Sequence, residues 1–325
     1  MTKHPNLSIV IPFLDEEASL TELYAWIVRV LDKAELSFEI IFIDDGSTDN
    51  AWDWVSATSA QDKRIRGIRF LRNYGKSQAL HAGFLACTGE VVCTMDADLQ
   101  DSPEELPELY TLIIEEHYDM ISGWKKKRYD SYLFKNLPSK IFNWAARLVS
   151  GIKLHDFNCG LKAYRSDVVK TIEVYGEMHR YIPVLAKQAG FGKIGEKVVQ
   201  HQKRKFGHSK FGADRFVKGF LDLITLWFLH RFGRRPMYFF GLIGSIMLLM
   251  GFSFSLYLGI DKLFVNPTGR MIAQRPQFYV ALTTMILGSQ FFLAGFLGEI
   301  VIRNRDHKAR YKIKEHLPPN SKGNM

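Results

Sequence analysis

The chain is 325 residues long, with 43 Lys and Arg against 34 Asp and Glu, and carries a formal net charge of +9. That length would support two soluble domains, but the apolar residues are distributed so that only about the first 230 look globular. The three cysteines, Cys87, Cys93 and Cys159, form no CxxC pair and have no histidine at ligand spacing, so reduced packing residues of a cytosolic domain are the default reading.

From the N-terminus, "LSIVIPF" (7–13) is apolar but short and runs directly into "LDEE", so it reads as a strand and not as a signal peptide. "FEIIFIDD" (38–45), "IRGIRFL" (65–71), "EVVCTMD" (90–96) and "YDMISGW" (118–124) are likewise short and β-branched, with amphipathic stretches between them. Strands alternating with helices imply an α/β domain whose parallel sheet is covered on both faces. Such sheets bind ligands in the crevice beyond the carboxyl ends of their strands. Three of the runs end there in acid, as "PFLDEE", "IDDGSTD" and "MDADLQ".

The third of these belongs to "TMDADLQDSPEEL" (94–106), with five acidic residues in a basic chain. Glu104 and Glu105 have a structural reading, because "SPEE" offers Ser102 as N-cap, Pro103 at the first helical position and Glu105 at capping-box spacing. Asp96 and Asp98 follow a strand directly and lie outside that helix start. Two hard carboxylates at a strand end suit Mg²⁺ or Mn²⁺, whose remaining ligands come from water and a substrate's phosphates. A lone D-x-D also arises from turn chemistry; here two other acidic strand ends accompany it. In "DDGSTDNAW", Ser47 or Asp49 can cap the following helix, which leaves Asp45 free to accept from the N–H of a uracil or guanine ring. Pro12, Phe13 and Glu16 are placed to shape the base and ribose side.

Further along, "KKKRYDSYLFK" (125–135) and "KRKFGHSK" (203–210) are strongly basic. They read either as solvated faces or as cations meeting a lipid-borne phosphate, which Arg can grip bidentately. "SYLFKNLPSKIFNWAARLV" and "FVKGFLDLITLWFLHRF" mix apolar and basic residues, so helices lying in a membrane interface are expected over about 129–149 and 214–232; packing on the sheet is the other reading. Two long apolar windows follow, at 237–260 and 277–302, charged only at Glu299. Each exceeds the ~20 residues that cross a ~30 Å hydrocarbon layer, so a transmembrane hairpin is expected rather than a buried helical pair. Arg231, Arg234 and Arg235 precede the first window, and Arg303, Arg305, Lys308, Arg310, Lys312 and Lys314 follow the second. This flanking charge explains much of the +9 without nucleic acid and puts both termini in the cytoplasm. Residues 303–325 form a basic tail, expected to fray from about 315.

"PFLDEE", "DDGSTD", "RNYGKSQAL" and "TMDADLQ", in this order, resemble the GT-A domain of glycosyltransferase family 2. With "KKRYDSYLFKNLPSKIF", "HDFNCGLKAYR", "KRKFGHSKFG" and two membrane helices, the chain is similar to the polyisoprenyl-phosphate branch of that family, the dolichyl-phosphate mannose synthase kind. The resemblance implies a Rossmann-like catalytic domain over 1–230 and a membrane hairpin over 237–302. It implies that Pro12, Phe13, Glu16, Asp45 and Lys76 face the nucleotide sugar. It implies that Asp96, Asp98 and Gln100 surround the metal and diphosphate, and that Arg128, Ser139, Arg204 and Lys210 hold an acceptor phosphate. Asp98 and Asp156 are the catalytic candidates.

The activity so implied is inverting transfer of a sugar, from a UDP-hexose, to a polyprenyl phosphate at the cytoplasmic face of a bacterial inner membrane; a homo-oligomer is compatible with it. A phosphate monoester is largely dianionic at neutral pH, with a second pKa of about 6, so Asp156 would orient rather than deprotonate. The alternatives are transfer to a hydroxyl acceptor, a processive polysaccharide synthase and a non-catalytic membrane scaffold. No Arg-Trp pair of the synthase kind occurs in the chain, and an intact "DAD" counts against the scaffold.

Overall fold

A computed structural model describes residues 4–126, 143, 146–147, 150–174, 176, 178–202, 205, 235–303 and 313–317. The chain divides into two compact units, Met1–Leu226 with Ala309–Met325, and Trp227–Lys308.

The first unit is built on an eight-stranded sheet in the order β7-β5-β6-β4-β1-β2-β3-β8. Its strands are β1 (Leu7–Phe13), β2 (Phe38–Asp44), β3 (Ile65–Phe70), β4 (Val91–Thr94), β5 (Met120–Trp124), β6 (Lys162–Arg165), β7 (Ile194–Val198) and β8 (Ile313–Leu317). β1 runs parallel to both β2 and β4, in register from Leu7 opposite Phe38 to Phe13 opposite Asp44. As central strands with a helical layer on each face, β1 and β2 are apolar almost throughout and almost wholly buried.

The helices are α1 (Glu17–Lys33), α2 (Ala51–Gln61), α3 (Lys76–Ala86), α4 (Leu106–Ile114), α5 (Ser166–Thr171) and α6 (Ile182–Gln188). In α1 the buried Leu20, Leu23, Ile27 and Leu31 recur at helical spacing and join the cluster that holds Leu7, Ile9, Ile11 and Phe13 of β1. Side chains alternate along a strand, so Val10 points to the other face, where it meets α3. Contact there is so close that a Cβ on Gly83 would lie 2.2 Å from Cγ1 of Val10.

The sheet is mainly parallel, as expected, but mixed. β6 enters antiparallel between β4 and β5, and β8 pairs antiparallel with β3. β8 corrects the expectation of a tail frayed from about 315. It covers the β3 edge, its Glu315 accepts a hydrogen bond from Trp52 Nε1 at 2.8 Å, and Leu317 packs over Gly67.

The second unit contains α7 (Pro236–Ile260) and α8 (Pro276–Arg303), close to the expected windows. Both are long and apolar enough to cross a membrane, with mean hydropathies of 2.0 and 1.7. They pack through small residues, since a Cβ on Gly244 would lie 2.6 Å from the Gly288 carbonyl oxygen.

Candidate active site

The site lies at the carboxyl ends of β1, β2, β4 and β5. Beyond Thr94 the chain leaves the strand and turns over Ala97 and Asp98, with Leu99 taking a left-handed φ of 61°. Asp98 Oδ1 accepts the Gln100 N–H at 3.2 Å and fixes that turn, so Asp96, Asp98 and Gln100 sit together on one loop.

The five acids of 94–106 have separate surroundings. Asp96 is in contact with the Lys76 ammonium. Burial pushes its pKa up, but Lys76, with Lys125 and Lys162 behind it, outweighs burial and holds the carboxyl well below the usual range. Asp101 is fully buried and pairs with Lys125 at 2.7 Å, so Lys125 is an interior cation and no part of a solvated basic face. Glu104 accepts from Trp26 Nε1 at 2.9 Å. Glu105 contacts Lys197 and accepts the Gln200 N–H at 3.0 Å. The expected capping box at Ser102 is therefore absent. A 3₁₀ turn over Pro103–Glu105 precedes α4, Ser102 makes no side-chain cap bond, and the Glu105 carboxylate is committed to β7 and the residues after it.

At the end of β2 the two aspartates divide the work. Asp44 Oδ1 accepts the Ser47 N–H at 2.7 Å and so shapes the turn. Asp45 accepts the backbone N–H groups of Tyr74 at 2.7 Å and Gly75 at 3.0 Å. Burial pushes the Asp45 pKa up to about 6, against the lowering effect of those two N–H groups and with a further push from Asp44. Asp45 thus fixes the loop whose next residue, Lys76, contacts Asp96, and one short connection joins the β2 and β4 ends. Pro12 is half-buried at the end of β1. Phe13 points into the core, edge-on to Phe42. Glu16 sits half-buried before α1, where its carbonyl accepts from the N–H and hydroxyl of Ser19. Neither Ser47 nor Asp49 is the N-cap of α2; that position is Asn50, which makes no side-chain cap bond, while Asp49 Oδ1 accepts the Ala51 N–H at 3.1 Å from one residue further out.

Asp156 is buried in the loop that leads to β6. Its Oδ1 accepts the Asn158 N–H at 3.0 Å and its carbonyl accepts from Ser122 at 3.2 Å. Glu196 of β7 holds the same loop through the N–H groups of His155 at 2.7 Å and Asp156 at 3.0 Å, while the His155 ring stacks on Trp124 with centroids 4.2 Å apart. The loop reaches the metal candidates at Gly160: a Cβ there would lie 2.5 Å from Asp96 Oδ2.

Several residues here escape a reading of the sequence. Lys162 is 4% exposed, and its ammonium hydrogen-bonds the Cys159 carbonyl. His179 is paired with Ser77 at 3.0 Å; burial, then the charges of Lys76, Arg180 and Lys162, push its pKa well below the ordinary value, so its imidazole is neutral. The segment after β7 returns beside the acidic loop, with Gln202 N–H donating to the Gln100 carbonyl at 2.9 Å and His201 opposite Asp101. The only visible signal for Lys162 was its place in "CGLKAYR", two residues past Gly160. Arg128, Ser139, Arg204 and Lys210, the stretch 214–232 and nearly all of 129–149 lie outside the described residues.

Among the described residues no group of three or more His, Cys, Asp and Glu side chains forms a complete metal cage. Two carboxylates and an amide on one turn still fit a hard divalent cation, because Mg²⁺-like ions keep open positions for water and phosphate oxygens.

The family model described as glycosyl transferase family 2 matches residues 8–173. A dodecaprenyl-phosphate galacturonate synthase from Rhizobium johnstonii is 33% identical over 303 residues, covering 92% of this chain and 88% of that protein. Among solved structures, glucosyl-3-phosphoglycerate synthase from Mycobacterium tuberculosis, in complex with Mn²⁺, UDP and its glucosylated product, aligns with a TM-score of 0.53 at 18% identity, over 70% of this chain and 80% of that one. The same enzyme with phosphoglyceric acid aligns at 0.51 and 20% identity. These structures share the fold; the family follows from the model match and the curated relative. The chain belongs to glycosyltransferase family 2.

Proposed function

We propose that the chain transfers a sugar from a uridine diphosphate sugar to a polyprenyl phosphate at the cytoplasmic surface of a membrane. The observation that carries this is the 33% identity to a dodecaprenyl-phosphate sugar synthase across 92% of the chain, a span that includes the apolar hairpin as well as the catalytic domain. Catalysis then falls to 1–230 together with β8, which 313–317 adds to the same sheet, anchoring falls to 237–302, and both termini lie on the cytoplasmic side.

In this reading an oxygen of the acceptor phosphate attacks the anomeric carbon. The bond from that carbon to the donor's β-phosphate oxygen breaks, and its electron pair leaves with UDP, inverting the configuration. A divalent metal, Mg²⁺ or Mn²⁺, held by Asp96, Asp98 and Gln100 supplies charge neutralisation for the departing diphosphate when bound. Asp45 and the 74–75 loop it fixes define the uracil side, with Pro12 and Glu16 beside them. Lys76, in the first turn of α3 and against Asp96, is placed to meet diphosphate oxygens, where the helix N-terminus also favours negative charge. The acceptor phosphate brings its own charge as nucleophile, so Asp156, locked by Asn158 and Ser122, positions rather than deprotonates. Arg128, Ser139, Arg204 and Lys210 are assigned to the acceptor phosphate.

The test is transfer of label from a UDP-sugar into butanol-extractable lipid by the purified full chain. Label should appear only when both polyprenyl phosphate and Mg²⁺ or Mn²⁺ are added, and Asp98→Asn should abolish it. Metal-independent transfer, or an Asp98→Asn variant as active as the parent in chelator, would overturn the assignment.

A further inference from the structure

β8 comes from the far end of the chain, beyond the apolar hairpin, yet it pairs with a strand that leads into the candidate site. Leu317 lies opposite Gly67, His316 opposite Ile68, Glu315 opposite Arg69 and Ile313 opposite Phe70. Cover for an exposed edge would by itself favour pairing along the whole of β3. The ladder instead spans 67–70, the half that runs into the 71–76 loop, and the next two residues of the tail, Pro318 and Pro319, have no N–H with which to extend it toward Ile65. β3 is also shaped to receive this partner. A Cβ on Gly67 would lie 3.0 Å from Trp52 Cη2 and 3.1 Å from a Leu317 methyl carbon, so glycine in mid-strand keeps room for both. Trp52 is 3% exposed, and its indole N–H donates to Glu315 at 2.8 Å, the kind of partner a buried indole requires.

Two chains of contact run from this pairing toward the groups assigned to the donor. In the first, the Arg69 guanidinium lies 5.8 Å from the Trp52 ring centroid, and its Nε is 3.2 Å from the fully buried Asp44. Asp44 shapes the turn through the Ser47 N–H, and that turn presses on the 71–76 loop so closely that a Cβ on Gly46 would lie 2.5 Å from the Arg72 carbonyl carbon. In the second, Phe70 meets Tyr74 edge-on with centroids 5.6 Å apart, and the Tyr74 N–H is one of the two that Asp45 accepts. The loop then delivers Lys76 to Asp96.

We infer that β8 completes the donor site, with Glu315 and Trp52 as positioning residues that hold the end of β3, and through it the 44–47 turn and the 71–76 loop, in the arrangement that takes a nucleoside diphosphate sugar. The inference rests on the donor reading proposed above and adds to it two residues that touch no substrate. A strand end paired on one side only, with β2, is free to splay; paired on both sides, it orders the loop before the donor arrives, so binding does not bear that entropy.

The test uses the full chain in detergent with Mn²⁺ and reads three quantities: UDP-sugar affinity by competition against labelled UDP, the KM for polyprenyl phosphate, and hydrogen exchange of the Tyr74 and Gly75 amides. Glu315→Leu should weaken UDP-sugar binding roughly tenfold, the size of one lost hydrogen bond, and speed exchange of both amides, while the KM for polyprenyl phosphate stays within about twofold of the parent's. Trp52→Phe, which keeps a ring and removes the N–H, should show the same pattern more weakly. Glu315→Gln, which keeps an acceptor for the indole, should recover most of the affinity. Donor affinity and amide exchange both unchanged in Glu315→Leu would overturn the inference. Equal losses for donor and acceptor would overturn it too, since they mark a strand that only stabilises the domain. If Glu315→Leu does not fold, unchanged donor affinity in Trp52→Phe overturns it alone. A parent that binds no UDP-sugar, while exchange at Tyr74 and Gly75 still depends on Glu315, would refute the donor reading and leave the hold of β8 on the loop standing.

Discussion

Gly160→Ala tests the geometry around Asp96 without touching any functional group. The added Cβ would lie 2.5 Å from Oδ2, 2.6 Å from Cγ and 2.8 Å from Oδ1 of Asp96. Ordinary van der Waals contact begins near 3.4 Å, so the carboxylate must retreat by roughly 3.4 − 2.5 = 0.9 Å, or the 156–161 loop must lift by the same amount. The loop is pinned by Glu196 and Ser122, and Asp96 is pinned by Lys76, so neither yields freely. A misplacement of about 1 Å at a catalytic group costs on the order of a hundredfold in rate, equivalent to roughly 2.7 kcal/mol. Transfer assays should therefore show kcat down about a hundredfold, together with weaker Mn²⁺-dependent binding of the donor, while circular dichroism and membrane extraction match the parent. A variant within threefold of the parent in both readouts would refute the claim that the β6 loop fixes the Asp96 carboxylate proposed to bind the metal.

Three further outcomes follow from particular contacts. The folded pKa of Asp45, about 6, lies above its ordinary 3.8, so the folded state gains a proton as pH falls through 6; if the carboxylate accepts from the uracil, UDP-sugar affinity should drop toward tenfold per pH unit below 6, and Asp45→Asn should flatten the profile. A UDP-sugar is the right probe because, unlike UDP, it has no phosphate monoester titrating there. Lys76 occupies Asp96 as an ion pair, so Lys76→Met should bind Mn²⁺ alone roughly tenfold more tightly than the parent yet lose the synergy between Mn²⁺ and UDP; paramagnetic-resonance titration showing unchanged Mn²⁺ affinity would contradict this. Arg128→Ala and Arg204→Ala should each raise the KM for polyprenyl phosphate about tenfold to a hundredfold, for loss of a charge-assisted contact of about 1.5 to 3 kcal/mol, with UDP-sugar binding near the parent's value.

The central half of the fold was legible because its chemistry is local. β1 to β5 announce themselves as short β-branched runs, and their ends carry the acids that mark the binding edge. The remaining strands do not. β6 is four residues long and reads Lys-Ala-Tyr-Arg, and its antiparallel insertion between β4 and β5 has no trace in periodicity. β7 and β8 are edge strands whose "IGEKV" and "IKEHL" look like surface, because edge strands keep charged residues facing water. The candidate site shows the same division. Asp96, Asp98 and Asp45 can be picked out as candidates from strand ends, whereas the burial of Lys125, Lys162 and His179 cannot, because only tertiary structure shows that a cation in a basic or mixed stretch is interior. Glu105 stood at capping-box spacing, yet the tertiary bond to Lys197 and Gln200 won over the local one.

The central claim is that the nucleophile is a lipid-borne phosphate. It is tested most directly by offering the purified full chain polyprenyl phosphate and the corresponding free polyprenol side by side, with the same UDP-sugar and Mn²⁺, and comparing initial rates. The phosphate should be glycosylated at least a hundredfold faster, because the alcohol lacks both the anion that Arg128 and Arg204 are assigned to grip and a ready-charged oxygen. Equal rates on the two lipids would contradict the account and return Asp156 as a general base acting on a hydroxyl.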